Sequence, residues 1–264
     1  MMKTSRPLRQ RLAAAAAGVC AGAAFAHDTW FEPLPAAPRA EVALALGTGN
    51  RFPVFELAVD TKYFAKSGCR GADGRTRTLE GQRYTDKTTL LRVKDADGAL
   101  TCWLQLDPFE FELPSDKIEI YFKEIRPNAA VLAAWSDLKA RGLPFLEKYT
   151  KSARIDLGVA NAAAPVGTAM DVIREAPRGA LTTATEATFQ VLREGKPLAD
   201  FPIELVNERS PVGLWQRTDA QGRVRARLPL PGRWLLRGTD LRLAPGDPTR
   251  WESQFITYAF EVAR

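Results

Sequence analysis

The sequence predicts an all-β protein of antiparallel β-sandwich units, immunoglobulin-like or prealbumin-like, with one short helical insertion. Three observations carry that expectation. Apolar and polar residues alternate along short stretches between Glu41 and Val262, the period of half-buried strands. Turns rich in Gly, Pro and Asp separate those stretches, as in sheets built from hairpins. Between about residues 116 and 141 the apolar spacing becomes helical instead.

The first 26 residues read as a secretory signal peptide. Lys3, Arg6, Arg9 and Arg11 precede an alanine-rich apolar run from Leu12, and Ala24-Phe25-Ala26 is a small-residue cleavage site. The run is shorter than the roughly 20 residues of a spanning helix. A cut after Ala26 makes His27 the first residue. A competing cut before Cys20, at Ala17-Gly18-Val19-Cys20, would make a lipoprotein and leave His27 inside the chain. The expected fate is export; the periplasm is the compartment that the family resemblance given below implies.

Pro33, Pro35 and Pro38 keep the lead-in short and extended. In the strand Glu41–Leu46, Val42, Leu44 and Leu46 share one face, and Gly47 and Gly49 end it. Phe52–Phe64 is mixed, and Gly68–Gly74 is turn-rich and carries Cys69. Thr89–Val93 reads as a strand, Asp95–Gly98 as a turn, and Leu100, Cys102, Leu104 and Leu106 as one core-facing parity. Asp116 with Glu119 three residues on looks like a capping box. Ile118, Tyr121, Phe122 and Ile125 then form an apolar face that Pro127 ends. Val131, Ala134, Trp135 and Leu138 repeat that spacing up to Gly142 and Pro144. Ile155, Leu157 and Val159 alternate again.

Asn161–Gly179, rich in Ala, Pro and Gly, either links two domains or is a long loop with a strand at Ala169–Ile173. Beyond it strands recur at Phe189/Val191, Ile203/Leu205, Val224/Ala226/Leu228, Trp234/Leu236 and Ile256/Tyr258/Phe260/Val262. The expected organisation is a signal peptide at 1–26, an N-terminal β domain at 27–170 with the helical insertion, and a C-terminal sandwich at 180–264.

The charge argues for neither a nucleic-acid nor an anionic-membrane partner. Four of the 37 Lys and Arg lie in the signal and none of the 31 Asp and Glu, so the remainder is close to neutral. Arg223, Arg225 and Arg227 alternate with Val224 and Ala226 and read as the solvated face of a strand. Cys69 and Cys102 remain after the signal is lost, and an oxidising compartment favours a disulfide between them. A thiolate metal pair is the rival, at a spacing too wide for a C-x-x-C clip. There is no H-E-x-x-H, G-x-S-x-G or P-loop and no second histidine, so no enzyme is expected. Glu110 and Glu112 share a strand face, a common arrangement of acids.

His27 is the one residue whose position carries chemistry. A terminal histidine offers its α-amine and Nδ1 together, a chelate for Ni²⁺, Co²⁺ or Cu²⁺. Asp28 and Glu32 lie near it in sequence. Trp30, Trp234 and Trp251 read as core, and an exposed Trp30 or Trp251 would point to a ligand surface instead.

Several stretches together resemble a known family. They are His27–Pro33, Phe111–Lys117, Lys148–Ala153, Thr218–Arg223, Pro231–Leu236 and Trp251–Ser253. The chain resembles the periplasmic domain-of-unknown-function family linked to nickel and cobalt uptake. Its C-terminal part is similar to small carboxypeptidase-regulatory sandwich modules. The resemblance implies metal handling, with Asp240 and Glu252 as further ligands beside His27 and Asp28. It implies an inner-membrane importer or outer-membrane receptor as partner. The family pattern carries histidine near Asp240. An aspartate there weakens a nickel assignment, because imidazole suits nickel and copper better. The alternative expectation is a non-catalytic binding or structural module without metal.

Overall fold

A computed structural model describes residues 27–35, 41–94, 96, 99–158, 164–177 and 179–264. The expected signal peptide with Cys20, Pro38, most of the Asp95–Gly98 turn and Val159 to residue 163 lie outside the described residues.

The first half contains β1 (Asp28–Pro33), β2 (Glu41–Gly49), β3 (Leu57–Ala58), β4 (Phe64–Gly71), β5 (Thr76–Arg77), β6 (Glu80–Tyr84), β7 (Thr89–Lys94), β8 (Leu100–Leu106) and β9 (Phe109–Leu113). Helices α1 (Ser115–Ile125) and α2 (Ala129–Ala140) follow, then β10 (Phe145–Leu157). The second half contains β11 (Met170–Ala176), β12 (Leu181–Thr182), β13 (Glu186–Arg193), β14 (Lys196–Pro197), β15 (Pro202–Asn207), β16 (Leu214–Arg217), β17 (Arg223–Arg227), β18 (Gly232–Ala244) and β19 (Asp247–Ala263).

The protein is all-β with a two-helix insertion. Its central sheet runs β16-β15-β18-β19-β10-β8-β4-β5, with β12 and β9 paired at its sides. This sheet takes strands from both halves of the chain. Pairing is mostly antiparallel. The sequence reading expected that throughout, but β19 pairs in parallel with β10 (Glu147 opposite Trp251 through Ile155 opposite Ala259) and with β12. The charged Glu147, Lys148, Lys151 and Arg154 break the alternation in β10, so its length was not visible beyond Ile155 and Leu157.

Alternation along β19 sends its side chains to three cores. Ala259 joins a core with Trp30, Phe31, Leu44, Leu46, Leu91 and Cys102, under the flanking sheet β1-β2-β7-β6. Trp251 and Phe255, of the same parity, join Leu113, Ile118, Tyr121, Val131 and Phe145 beneath the helices. Ile256, Tyr258, Phe260 and Val262 face the other way, against Val172, Phe189 and Val191 of the second flanking sheet, β11-β13-β14 with β17. The central sheet is therefore covered on both faces, and one strand side belongs to each cover.

The helices form where expected, with one correction. Pro114 caps α1 without a side-chain hydrogen bond, and Asp116 sits inside the first turn. The acid therefore acts on the helix dipole rather than as a cap. Ile118, Tyr121 and Ile125 are buried on one face, Arg126 closes the helix in the left-handed conformation, and Pro127 prevents continuation. Asn128 caps α2 by accepting from the Val131 N–H at 3.0 Å. Phe145 of β10 stacks on Trp251 with centroids 5.2 Å apart and meets Trp135 of α2 edge-on at 5.3 Å, which holds the insertion against the central sheet.

Cys69 lies on strand β4 rather than in a turn. It is directly opposite Cys102 of β8, with Cα atoms 4.0 Å apart, and the two form a disulfide.

Candidate functional site

Strand β1 places His27 and Asp28 in the interior. It pairs with β2, and the Thr257 hydroxyl donates to the Thr29 carbonyl at 2.5 Å, fastening β1 to the central sheet. His27 is 4% exposed. Its Nε2 lies 3.1 Å from Glu56 Oε2, and its Nδ1 is buried with no hydrogen-bond partner among the described residues. Its carbonyl accepts from the buried Lys151 ammonium at 2.6 Å.

Glu56 reaches His27 because the chain after β2 folds back on that strand. A Cβ at Gly49 would stand 2.3 Å from the Val54 carbonyl oxygen, and one at Gly47 would stand 2.4 Å from the Phe55 ring. Only glycine permits that approach. Phe55 stacks on Trp30 at 4.9 Å, and Asn50 Nδ2 donates to Glu56 Oε2 at 3.2 Å. The two glycines thus position the carboxylate as well as ending the strand.

Burial dominates the titration of this cluster. It lowers the His27 pKa, with Glu56 opposing and Lys151 assisting, so the neutral imidazole is favoured at pH 7. Burial brings the Lys151 pKa down to about 8 against the pull of Asp28 and Glu147. It pushes Glu147 up to about 7, although Ser253 and Tyr121 donate to its Oε1. Glu147 Oε2 is buried without a hydrogen-bond partner among the described residues.

The four metal candidates do not converge. Asp28 Oδ2 accepts from Arg237 at 2.6 Å, and Glu204 holds the same guanidinium. Asp240 and Glu252 both pair with Arg193 of the second flanking sheet, and Arg242 also contacts Asp240. They share the strand parity of Leu236 and Ile256, whereas Asp28 and Thr29 meet Arg237 and Thr257 on the opposite face. The central sheet lies between the two pairs. Glu32, the other nearby acid, pairs with Arg233 at 2.7 Å. Among the described residues no three His, Cys, Asp or Glu stand together as a metal cluster. The donors that fit a metal are those of His27 itself: the orphaned Nδ1 and, in a chain beginning there, the α-amine.

Trp30, Trp234 and Trp251 are all buried. Arg225 and Arg227 are exposed while Val224 and Ala226 are buried, and Arg223 pairs with Glu175 at 2.7 Å. Sequence reasoning missed Glu56 and Lys151. Lys151 stood inside the Lys148–Ala153 stretch already noted. Glu56 had only the flanking Gly47-Thr48-Gly49 and Pro53 as a trace of its loop.

Fold and site define an all-β sandwich protein whose leading strand is buried against a sheet shared by both halves. The chain belongs to the DUF4198 family, a domain of unknown function, whose model matches residues 24–239. No curated protein matches the sequence. One solved structure, the D0-D1 domain of intimin, is similar over 90% of this chain and 98% of its own, at 10% identity and a TM-score of 0.23. At that score the likeness carries no argument. No helix among the described residues is long and apolar enough to cross a membrane.

Proposed function

We propose that the exported chain is a non-catalytic periplasmic module that binds one divalent transition metal, nickel, cobalt or copper, at its first residue. The proposal rests on removal of residues 1–26, which leaves the His27 α-amine beside Nδ1. The observation that supports it is the imidazole's state: Nε2 is held by Glu56, while Nδ1 is buried and has no partner among the described residues. Amine and Nδ1 of one histidine close a six-membered chelate, and imidazole suits these metals. Burial already favours the neutral ring. The amine, with a pKa of about 8, then carries the proton that the metal displaces, so affinity falls as pH falls.

Two protein donors leave other coordination positions open, and the buried Lys151 charge weakens the hold on a cation. Such a site suits a metal received and passed on. The partner implied by the family resemblance is an inner-membrane importer or an outer-membrane receptor.

Calorimetric titration with Ni²⁺, Co²⁺ and Cu²⁺ tests this on three samples: protein beginning at His27, its His27→Ala variant, and protein with one residue added before His27. Binding in the first and its loss in the other two supports the chelate. Equal affinity in all three rejects it.

A second reading, a binding module without metal, is favoured by a different observation. A cavity of about 230 Å³ lies among Phe31, Phe52, Leu157, Leu181, Trp234 and Phe260. Absence of metal binding in the first sample would make this reading the better one.

A further inference from the structure

Glu56 has no chemical role of its own in a chelate made by His27, yet it is the side chain that touches the imidazole. A neutral histidine carries its proton on one nitrogen, and the other nitrogen then holds the lone pair. A carboxylate beside Nε2 accepts a proton from it, which leaves Nδ1 as the donor to a metal. We infer that Glu56 is a positioning residue, fixing the Nε2–H tautomer of His27 so that Nδ1 presents its lone pair.

Three observations carry this. Glu56 Oε2 is 3.1 Å from His27 Nε2. The carboxylate is itself oriented, since the Asn50 backbone N–H donates to Oε1 at 3.4 Å and the Asn50 side chain donates to Oε2 at 3.2 Å. The opposite ring nitrogen, Nδ1, is buried with no hydrogen-bond partner among the described residues. A proton on Nδ1 would leave a buried donor unsatisfied and would set an imidazole lone pair against a carboxylate. Both effects select one tautomer. The loop that brings Glu56 in is built for closeness, with Gly47 and Gly49 accepting Phe55 and Val54 at distances no side chain allows.

The consequence for binding rests on the reading above; the tautomer does not. Metal-free protein beginning at His27, labelled with ¹⁵N in its single histidine, is compared with Glu56→Ala and Glu56→Gln by imidazole ¹⁵N NMR at pH 8. The wild type is expected to show the Nε2–H form. Glu56→Gln should keep it, because the amide oxygen still accepts. Glu56→Ala should show a mixture, or the Nδ1–H form. Circular dichroism melting confirms that each variant is folded. An unchanged tautomer in Glu56→Ala overturns the inference, as does a wild-type spectrum dominated by Nδ1–H.

Titration of the same samples with Ni²⁺ then reads the consequence. The loss of affinity expected for Glu56→Ala is about tenfold or more, with Glu56→Gln in between. If the wild type binds no Ni²⁺, the metal reading fails, while the spectra still decide the role of Glu56.

Discussion

Asp28 and Arg237 meet at 2.6 Å, although 209 residues separate them in sequence. Arg237 also holds Glu204, so one guanidinium joins β1 to β18 and β15. The acid beside His27 is thereby committed to structure. A buried carboxylate engaged by arginine is a poor metal ligand, because ligation would leave the arginine without its partner.

Asp240→Asn and Glu252→Gln should leave metal affinity unchanged, since both acids lie across the central sheet from His27. Asp240→Ala should lower stability by about 1–3 kcal/mol, because Arg193 loses a part-buried partner. Denaturant unfolding and metal titration on the same variants separate the two effects. A lost affinity in Asp240→Asn would restore that residue to the site.

Glu147 makes stability depend on pH in an unusual direction. Burial raises its folded pKa to about 7, above the ordinary glutamate value of 4.5. Between those values the folded state binds more protons than the unfolded state. This contribution is therefore full below the unfolded pKa and is lost as pH rises through about 7. Glu147→Gln keeps an acceptor for Tyr121 and Ser253 and removes the titration. Relative to wild type, the variant should gain stability on going from pH 5 to pH 8. Chemical denaturation at the two pH values measures the difference, and equal differences would remove Glu147 as the cause.

The Cys69–Cys102 bridge spans 33 residues. Loop entropy for that span corresponds to about 3–4 kcal/mol. The double Cys→Ala variant should unfold at correspondingly lower denaturant concentration. The cross-strand register of β4 and β8 should survive, because Leu100, Leu104 and Leu106 are still buried. Unchanged stability would show that the bridge restricts the unfolded chain little.

Gly49→Ala should move the loop that carries Glu56, since the new Cβ would meet the Val54 carbonyl oxygen at 2.3 Å. A destabilisation of about 1–3 kcal/mol is expected for such overpacking. The His27 ¹⁵N spectrum should change with it. A normal spectrum in a folded Gly49→Ala protein would mean that Glu56 reaches His27 without this close approach.

The β character, the two helices and the disulfide were legible because each has a local signal. Alternation marks Leu100–Leu106, helical spacing marks Ile118–Ile125, and two cysteines left after an expected signal peptide imply one pair. The parallel pairing of β10 with β19 was hidden, because buried Glu147, Lys151 and Arg154 mask a strand whose polar groups find partners only in the folded protein. The same limit applied to the site. His27 stood out by its place after Ala26. Glu56 is fixed by a backbone turn and two close contacts, and nothing in residue type distinguishes it from other acids. Asp240 and Glu252 were carried by resemblance, and strand parity sets them on the other face.

Strand β19 also governs when the molecule can fold. Its side chains enter all three cores, and its parallel partner β10 lies far earlier in the chain. Until β19 has been synthesised, Leu113 to Phe145 and Trp30 to Ile155 have no complete interior to settle into. Pairings so distant in sequence also form slowly. A chain that closes late stays threadable, which is the condition a translocation pore sets on anything it exports unfolded.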